Sequence, residues 1–496
     1  MAHQSTRPFT ANTTPSARLL LCKTGCNVVP SHAKLAKDLR RNRRCCTVVA
    51  QSNPVAEVQK TLERTVSGVA DKVMQVATDT VDLAKGLDLR EVILLQGFGW
   101  DSCDKGGWYK QLLEKVPDIA KSGVTHIWLP PPSQSVSKQG YLPGQLYNLN
   151  SKYGNKEELK ALLKAFKEAG IVTLADIVIN HRCADAQDEN GLWNTFRDDV
   201  NHKGEKLDWG QWAITGDDPD FGGTGNPDTG DDYGPAPDLD HLNEDLRTAL
   251  KDWLIYLKDN VGFEGWRFDF VKGYGPEFVK EYVVDTVGEG TFNVGEYWVD
   301  LRWNGAELDY NQDDARQTVV NWIDGTAGTS SAFDFPTKGI LQEAVKNCEY
   351  WRLRDQNGKP PGVIGYYPKR AVTFIDNHDT GSTQQHWPFP ENRIALGYAY
   401  LFTHPGNPTI FWDHYFNSPC RETIDQLISL RKRNGLNAKS SIEILAAEHD
   451  FYVARIDNKV TIKLGPRYDM GDNLPNEHEG WTFALGGDDF GIWEKN

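Results

Sequence analysis

From residue 90 onward, short apolar runs alternate with segments whose apolar positions recur every three or four residues. The short runs are rich in β-branched and aromatic residues and lie at 92–95, 126–129, 172–179, 265–270, 292–295, 331–333, 372–375 and 409–412. Runs of this length, bounded by turn residues, read as buried strands. Between two of them, the stretch 156–169 sets Leu159, Leu162, Leu163 and Phe166 along one helical face. Eight strands with helical crossovers predict an α/β protein, a (β/α)8 TIM barrel spanning 89–436. One connection breaks the rhythm. About 80 residues separate the third run from the fourth, and many are Asp, Gly, Asn and Pro. A loop so long predicts a functional insertion, here 180–241, between strand 3 and helix 3. After residue 437 the pattern changes to the alternating runs FYVARI, KVTIKLG and WTFALGG. They predict a C-terminal antiparallel β-sheet domain over 437–496. Ahead of the barrel, Val55, Val58, Leu62, Val66, Val69, Val73, Val76 and Leu83 predict an amphipathic helix within 51–88. Gly68 weakens it, and packing on the main domain suits it better than a coiled coil of barely four heptads.

Charge changes this picture at one end. The chain of 496 residues carries a net charge of −15, which argues against nucleic acid or an anionic membrane as partner. No apolar run is long enough for a transmembrane helix. Residues 1–46 depart from this balance, with nine Lys or Arg against the single acid Asp38. Basic, hydroxylated and poor in acids, the segment 1–50 reads as an organelle transit peptide, and the chloroplast is the expected location. A disordered basic tail is the alternative. Cys103, Cys183, Cys348 and Cys420 are dispersed without metal-site spacing and read as free thiols of a reducing compartment.

Three of the strand-like runs end on an acid: Asp269 in GWRFDF, Glu296 in TFNVGEYW and Asp379 in VTFIDNHD. Parallel strands of a barrel deliver their C-terminal residues to one rim. Two acids flanking a glycosidic bond, one a nucleophile and one a proton donor, suffice to cleave it with retention. A single buried acid could equally be structural, paired with a cation; three in this arrangement point to chemistry. Arg267 lies two residues before Asp269, so on a strand both face the same side, and the cation would hold Asp269 ionised.

DIVINHR (176–182), GFEGWRFDFVKGY (262–274), VGEYW (294–298) and FIDNHD (374–379) resemble, in order and spacing, the four hallmark motifs of the α-amylase family of glycoside hydrolases. LLQGFGWDS, GYLPGQLYNLNSKYGN, WPFP, KRNG and the terminal WEKN are similar to plant α-amylases in particular. The resemblance implies an endo-acting hydrolase of α-1,4 bonds in starch and related glucans, active as a monomer. It implies Asp269 as nucleophile, Glu296 as general acid and base, and Asp379 as the acid that stabilises the transition state. Arg267, His181, His378 and Lys272 would then meet the sugar, with Tyr141 and Trp100 stacked on glucose rings; for the two histidines and the two aromatics a satisfied core position is the alternative. A transglycosylase or debranching relative would use the same acids, and a non-catalytic glucan-binding protein would be expected to have lost one.

The insertion contains NPDTGDDYGPAPDLDHL (226–242), whose close acids and carbonyl-rich turns suit Ca²⁺. The resemblance implies a structural calcium site from Asn180, Asp228, Asp238 and the carbonyls of Asp231 and Gly273. A second site would use Asp218, Asp232 and the carbonyls of Tyr233 and Ala236, sharing Asp238. A solvated acidic loop is the alternative. A further site of cereal relatives is kept only in part around Asp199 and Asp208, and no ion is expected there. Tyr366-Tyr367 stands where those relatives carry a granule-binding Trp pair, and Tyr468 resembles a second surface sugar-binding aromatic.

Overall fold

The structure is a computed structural model that describes residues 92–495. The basic segment 1–50 and the amphipathic stretch 51–88 lie outside the described residues. Eight parallel strands close into a barrel: β1 (Leu94–Gln96), β2 (His126–Leu129), β3 (Val172–Ile177), β4 (Gly265–Phe268), β5 (Val294–Gly295), β6 (Ser331–Phe333), β7 (Ala371–Thr373) and β8 (Asn407–Phe411). Neighbours in the barrel are neighbours in sequence, and β1 pairs with β8 to close it. Helices α1 (Trp108–Ser122), α2 (Lys156–Glu168), α3 (Glu244–Tyr256), α4 (Pro276–Thr286), α5 (Asp313–Gly325), α6 (Phe335–Asn347) and α7 (Ile394–Thr403) supply the crossovers, and α8 (Arg421–Arg433) follows the last strand. Almost every barrel-strand residue is buried, which explains the continuous apolar runs.

Local chemistry starts these helices. Asn155 caps α2 by accepting from the Glu158 amide, and the Glu158 side chain reaches back to the Asn155 amide. The four apolar positions of α2 anticipated above are all buried.

The strand ends differ from expectation where the chain leaves the barrel. The fourth run was expected to reach 270, yet β4 stops at Phe268. Phe270 takes a left-handed conformation (φ 43°, ψ 50°), which no strand accommodates. The third run stops at Ile177, where the chain turns into the insertion. The first shifts to include buried Gln96, and the last begins at Asn407 and ends at Phe411, where a short helix starts at Trp412.

The insertion between β3 and α3 contains a two-stranded ribbon, with single bridges pairing His181 with Asp238 and Ile214 with Leu239. The C-terminal sheet has five antiparallel strands: β9 (Ile442–Ala447), β10 (Tyr452–Ile456), β11 (Val460–Leu464), β12 (Trp481–Gly487) and β13 (Phe490–Lys495), in the order β9-β10-β11-β13-β12. It is fastened to the barrel by a hydrogen bond between His404 Nε2 and Tyr452 Oη (2.8 Å) and by the Arg433–Glu494 ion pair (2.8 Å). Among the described residues no helix is long and apolar enough to cross a membrane, and the four cysteines are free.

Candidate active site

Arg267 organises the C-terminal rim of the barrel. Its register partner across β3 is Asp176, so both side chains leave their strands at the same height. Arg267 is fully buried, and its Nη1 donates to Asp176 Oδ1 (2.7 Å) and Asp269 Oδ1 (2.5 Å). Nη2 stands 2.7 Å from Glu296 Oε1, in ion-pair contact but without hydrogen-bond alignment. One guanidinium thus touches three carboxyl groups from three adjacent strands. The Trp128 ring lies 4.6 Å from the guanidinium carbon and shields it from water.

Each acid is held by its backbone. The Asp269 amide donates to Ile177 O (2.9 Å), and the Glu296 amide donates to Phe268 O (2.9 Å), extending the barrel ladder past the strand ends. The left-handed turn at Phe270, an uncommon conformation costing about 1–3 kcal/mol, directs its amide at Glu296 Oε2 (3.4 Å). Burial pushes Glu296 well above the usual carboxylate range; Arg267 opposes this, while the charges of Asp269 and Asp379 add to it. Glu296 is therefore suited to keep a proton that it can give away.

Asp379 follows β7 in a loop shaped by Asn377, whose Oδ1 accepts from the amides of Asp379 and Thr380. Gln384 donates to Asp379 Oδ1 (2.7 Å), and burial raises Asp379 against the pull of Arg267. His378 Nε2 stands 3.3 Å from Asp379 Oδ2. With the Gln96 amide assigned as donor to Nδ1 (3.0 Å), His378 carries its proton on Nε2, facing Asp379. Burial, aided by Arg267, keeps this imidazole neutral by lowering its pKa well below the ordinary value.

The rings of Trp100, Tyr141 and His378 lie nearly parallel. Tyr141 and His378 are 5.1 Å apart at 12°, and Trp100 and Tyr141 are 6.3 Å apart at 6°. Tyr141 also donates to Asp176 Oδ2 (2.8 Å), so the aromatic wall is anchored to the acid cluster. His181 Nε2 donates to the Tyr141 carbonyl (2.9 Å), and its ring stacks on Tyr233 at 3.8 Å. Its Nδ1 is buried and finds no partner in the protein. Lys272 stands apart from the acid cluster, paired with Asp231 (3.2 Å) and Asp300 (3.5 Å). Tyr468 is remote in kind, an 83% exposed ring of the C-terminal sheet domain with Lys463 Nζ 4.9 Å from its centre.

Sequence reasoning overlooked Asp176, Trp128, Gln96 and Gln384. Asp176 opens the DIVINHR motif, but its value lies in its register with Arg267, which no local pattern reveals. Burial pushes it up to about 7, whereas Arg267, Tyr141 and Trp128 all donate to it and favour the carboxylate.

The insertion reaches the rim beside this cluster. Asp228, Asp232 and Asp238 each offer an oxygen within 4.8 Å of the others. Asn180 Oδ1 and Asp228 Oδ2 are buried acceptors without a donor. Gly273 packs so tightly on Asn180 that a side chain there would meet Asn180 Oδ1 at 1.9 Å. The Asp231 amide donates to Lys272 O (3.0 Å), tying the insertion to the segment that follows Asp269. Burial raises Asp228 to about 6 and Asp238 to about 7, and neighbouring acids add to both. Crowded acids with orphaned oxygens and a glycine main chain fit a hard cation. Asp218 is more self-sufficient, accepting from the amides of Asp238 (3.1 Å), Asp220 and Phe221. The Tyr233 carbonyl accepts from the Ala236 amide (3.4 Å). Asp199 is engaged by Arg182 (3.2 Å) and the Leu146 amide (2.6 Å) as a buried pair.

Residues 92–294 match the family described as "Alpha amylase, catalytic domain", and residues 433–494 match "Alpha-amylase C-terminal beta-sheet domain". The chain is 48% identical over 404 residues to Alpha-amylase 3, chloroplastic, of Arabidopsis thaliana, covering 82% of this chain but only 44% of that protein. It is 45% identical to Probable alpha-amylase 2 of the same plant, covering 86% of this chain and 100% of that one. Among solved structures, an Anoxybacillus α-amylase aligns with a TM-score of 0.57 at 18% identity, covering 82% of this chain and 98% of its own. That last likeness concerns the fold alone. From the two domain matches and the full-length relative, the chain belongs to the α-amylase family.

Proposed function

We propose that this protein is an endo-acting α-amylase that hydrolyses α-1,4-glucosidic bonds of starch with retention. The observation that carries the reading is the shared contact of Arg267 with Asp269 and Glu296, which holds two carboxyl groups close together. A retaining pair works at about 5–5.5 Å, too close to leave room for an intervening water. Asp269 attacks the anomeric carbon while the glycosidic C–O bond breaks, and Glu296 passes its proton to the departing oxygen. Water then gives a proton to the Glu296 carboxylate as it attacks the same carbon, and the Asp269–sugar bond breaks. Asp379 and His378 hold hydroxyl groups of the reacting glucose, and Trp100 and Tyr141 stack on adjacent rings. His181, bonded to the Tyr141 carbonyl, belongs to the same sugar-binding group. Lys272 and Tyr468 act further out, at the rim and on the surface.

Asn180, Asp228, Asp238 and the carbonyls of Asp231 and Gly273 would hold a calcium ion that fastens the insertion to the barrel. Asp218, Asp232 and the carbonyls of Tyr233 and Ala236 would hold a second. Such an ion supplies binding energy to the folded state alone, so its removal lowers stability. The plastid reading rests on the basic first 50 residues and on the chloroplastic relative.

The test is an assay of the mature form on soluble starch, with products separated by length. Short linear malto-oligosaccharides of α configuration are expected. Cyclic or branched transfer products without them would instead favour a transglycosylase. In the same preparation, EDTA is expected to lower the melting temperature, with excess Ca²⁺ restoring it. An unchanged melting temperature would remove the calcium assignment.

A further inference from the structure

Away from the rim, an open groove of about 570 Å³ lies between the segment preceding α5, the segment following α6 and Ala447 of β9. Two of its lining residues are aromatic and exposed: Tyr310 (65%) and Trp351 (38%). Their ring centres are 6.2 Å apart with the planes inclined at 56°. Neither ring continues into a larger apolar patch, because Gln312, Asp313, Arg352 and Asp355 also line the groove.

The walls are fixed in place. Gln312 Nε2 donates to the carbonyls of Arg302 (2.9 Å) and Asp309 (2.7 Å), and its Oε1 accepts from the Arg302 amide (2.8 Å). Arg352 lies 4.8 Å from the Trp351 ring and donates to Leu308 O (2.8 Å). Fully buried Arg316 pairs with Asp313 (2.6 Å) and Asp355 (2.8 Å), joining the two sides. A site with this much internal bonding loses little entropy when it is filled.

The chemistry selects an occupant. Exposed Tyr and Trp faces stack on the apolar faces of pyranose rings, and polar walls meet the hydroxyl edges. An α-1,4-glucan is a curved chain whose successive rings turn relative to one another, which suits two inclined aromatic planes better than parallel ones. The groove lacks the apolar centre of a stable protein interface. We propose that the Tyr310–Trp351 groove is a non-catalytic α-glucan-binding site that holds a second stretch of the polymer cut at the barrel rim. This rests on the starch-hydrolase reading. A second foothold raises the effective concentration of a long chain at the rim and gives nothing to a chain too short to reach both.

The experiment is retardation in an amylopectin-containing gel with the rim saturated by acarbose, beside hydrolysis of a short chromogenic malto-oligosaccharide. Tyr310→Ala/Trp351→Ala is compared with Tyr310→Phe/Trp351→Phe, each in the parent and in a Tyr366→Ala/Tyr468→Ala background that removes two further exposed aromatics. The alanine pair is expected to weaken amylopectin binding by about tenfold, the phenylalanine pair by less than about threefold. Each groove pair should hydrolyse the short substrate at the rate of the background that carries it. Equal retardation of the alanine pair and its parent in both backgrounds overturns the proposal. So does a parent unretarded in both, or a change in sedimentation without a change in retardation, which would mark an interface between copies. A parent inactive on the short substrate indicts the catalytic assignment instead, and the retardation comparison still reads the groove.

Discussion

Glu296→Gln is expected to lower kcat on soluble starch by about 10³–10⁴-fold while leaving oligosaccharide affinity within a few-fold. The replacement is isosteric and keeps an acceptor for the Phe270 amide, so the pocket retains its shape. What disappears is the transferable proton. The wild-type acid is held well above the usual range by burial, so activity should fall only as pH rises through that elevated value. The variant should lack this alkaline limb. A glycosyl fluoride, whose leaving group needs no proton, should recover much of the first step. Comparable starch hydrolysis by wild type and variant would show that another group supplies the proton.

The second large effect concerns Arg267. Arg267→Met is expected to destabilise the fold by about 3–5 kcal/mol and to lower kcat/KM by a factor on the order of 10³ or more. The side chain is fully buried, and its loss leaves Asp176, Asp269 and Glu296 facing one another without a cation. Asp176 and Glu296, already pushed upward by burial, would rise further. A carboxyl with a raised folded-state pKa binds more protons folded than unfolded, so its contribution to stability falls as pH rises. The gap in denaturation midpoint between wild type and variant should therefore be wider at pH 8 than at pH 5. A variant within about 1 kcal/mol of wild type at both values would mean that the guanidinium does not hold the cluster together.

The barrel was legible because every strand is buried on both faces, so each wrote a compact apolar run into the chain. The ends of those runs were less legible. Gln96 is polar yet belongs to β1, since its amide reaches His378 across the barrel. Phe270 is apolar yet lies outside β4, since its backbone turns to face Glu296. In the C-terminal sheet, β10 and β11 are buried almost throughout, whereas β9 and β12 each carry a register shift and β13 ends in a charged tail. Asp269 and Glu296 could be named from strand-end position and motif, and Asp379, in the loop beyond β7, from its motif, because both signals are local. Asp176 could not, since its role depends on lateral register between β3 and β4. The orphaned oxygens of Asn180 and Asp228 likewise emerge only when the insertion folds back on the rim. The Tyr310–Trp351 groove joins residues from separate crossovers and left no linear trace.

The central claim is that Asp269 forms a covalent bond to the sugar while Glu296 serves the same bond from the other side. It is tested by incubating the protein with a 5-fluoro-α-glycosyl fluoride, digesting it, and mapping the modified peptide by mass spectrometry. The account predicts one glycosyl group, on the peptide containing Asp269, with fragmentation placing it on that side chain. A label on Glu296 or Asp379, or turnover that inverts the anomeric centre with no trapped species, would contradict it.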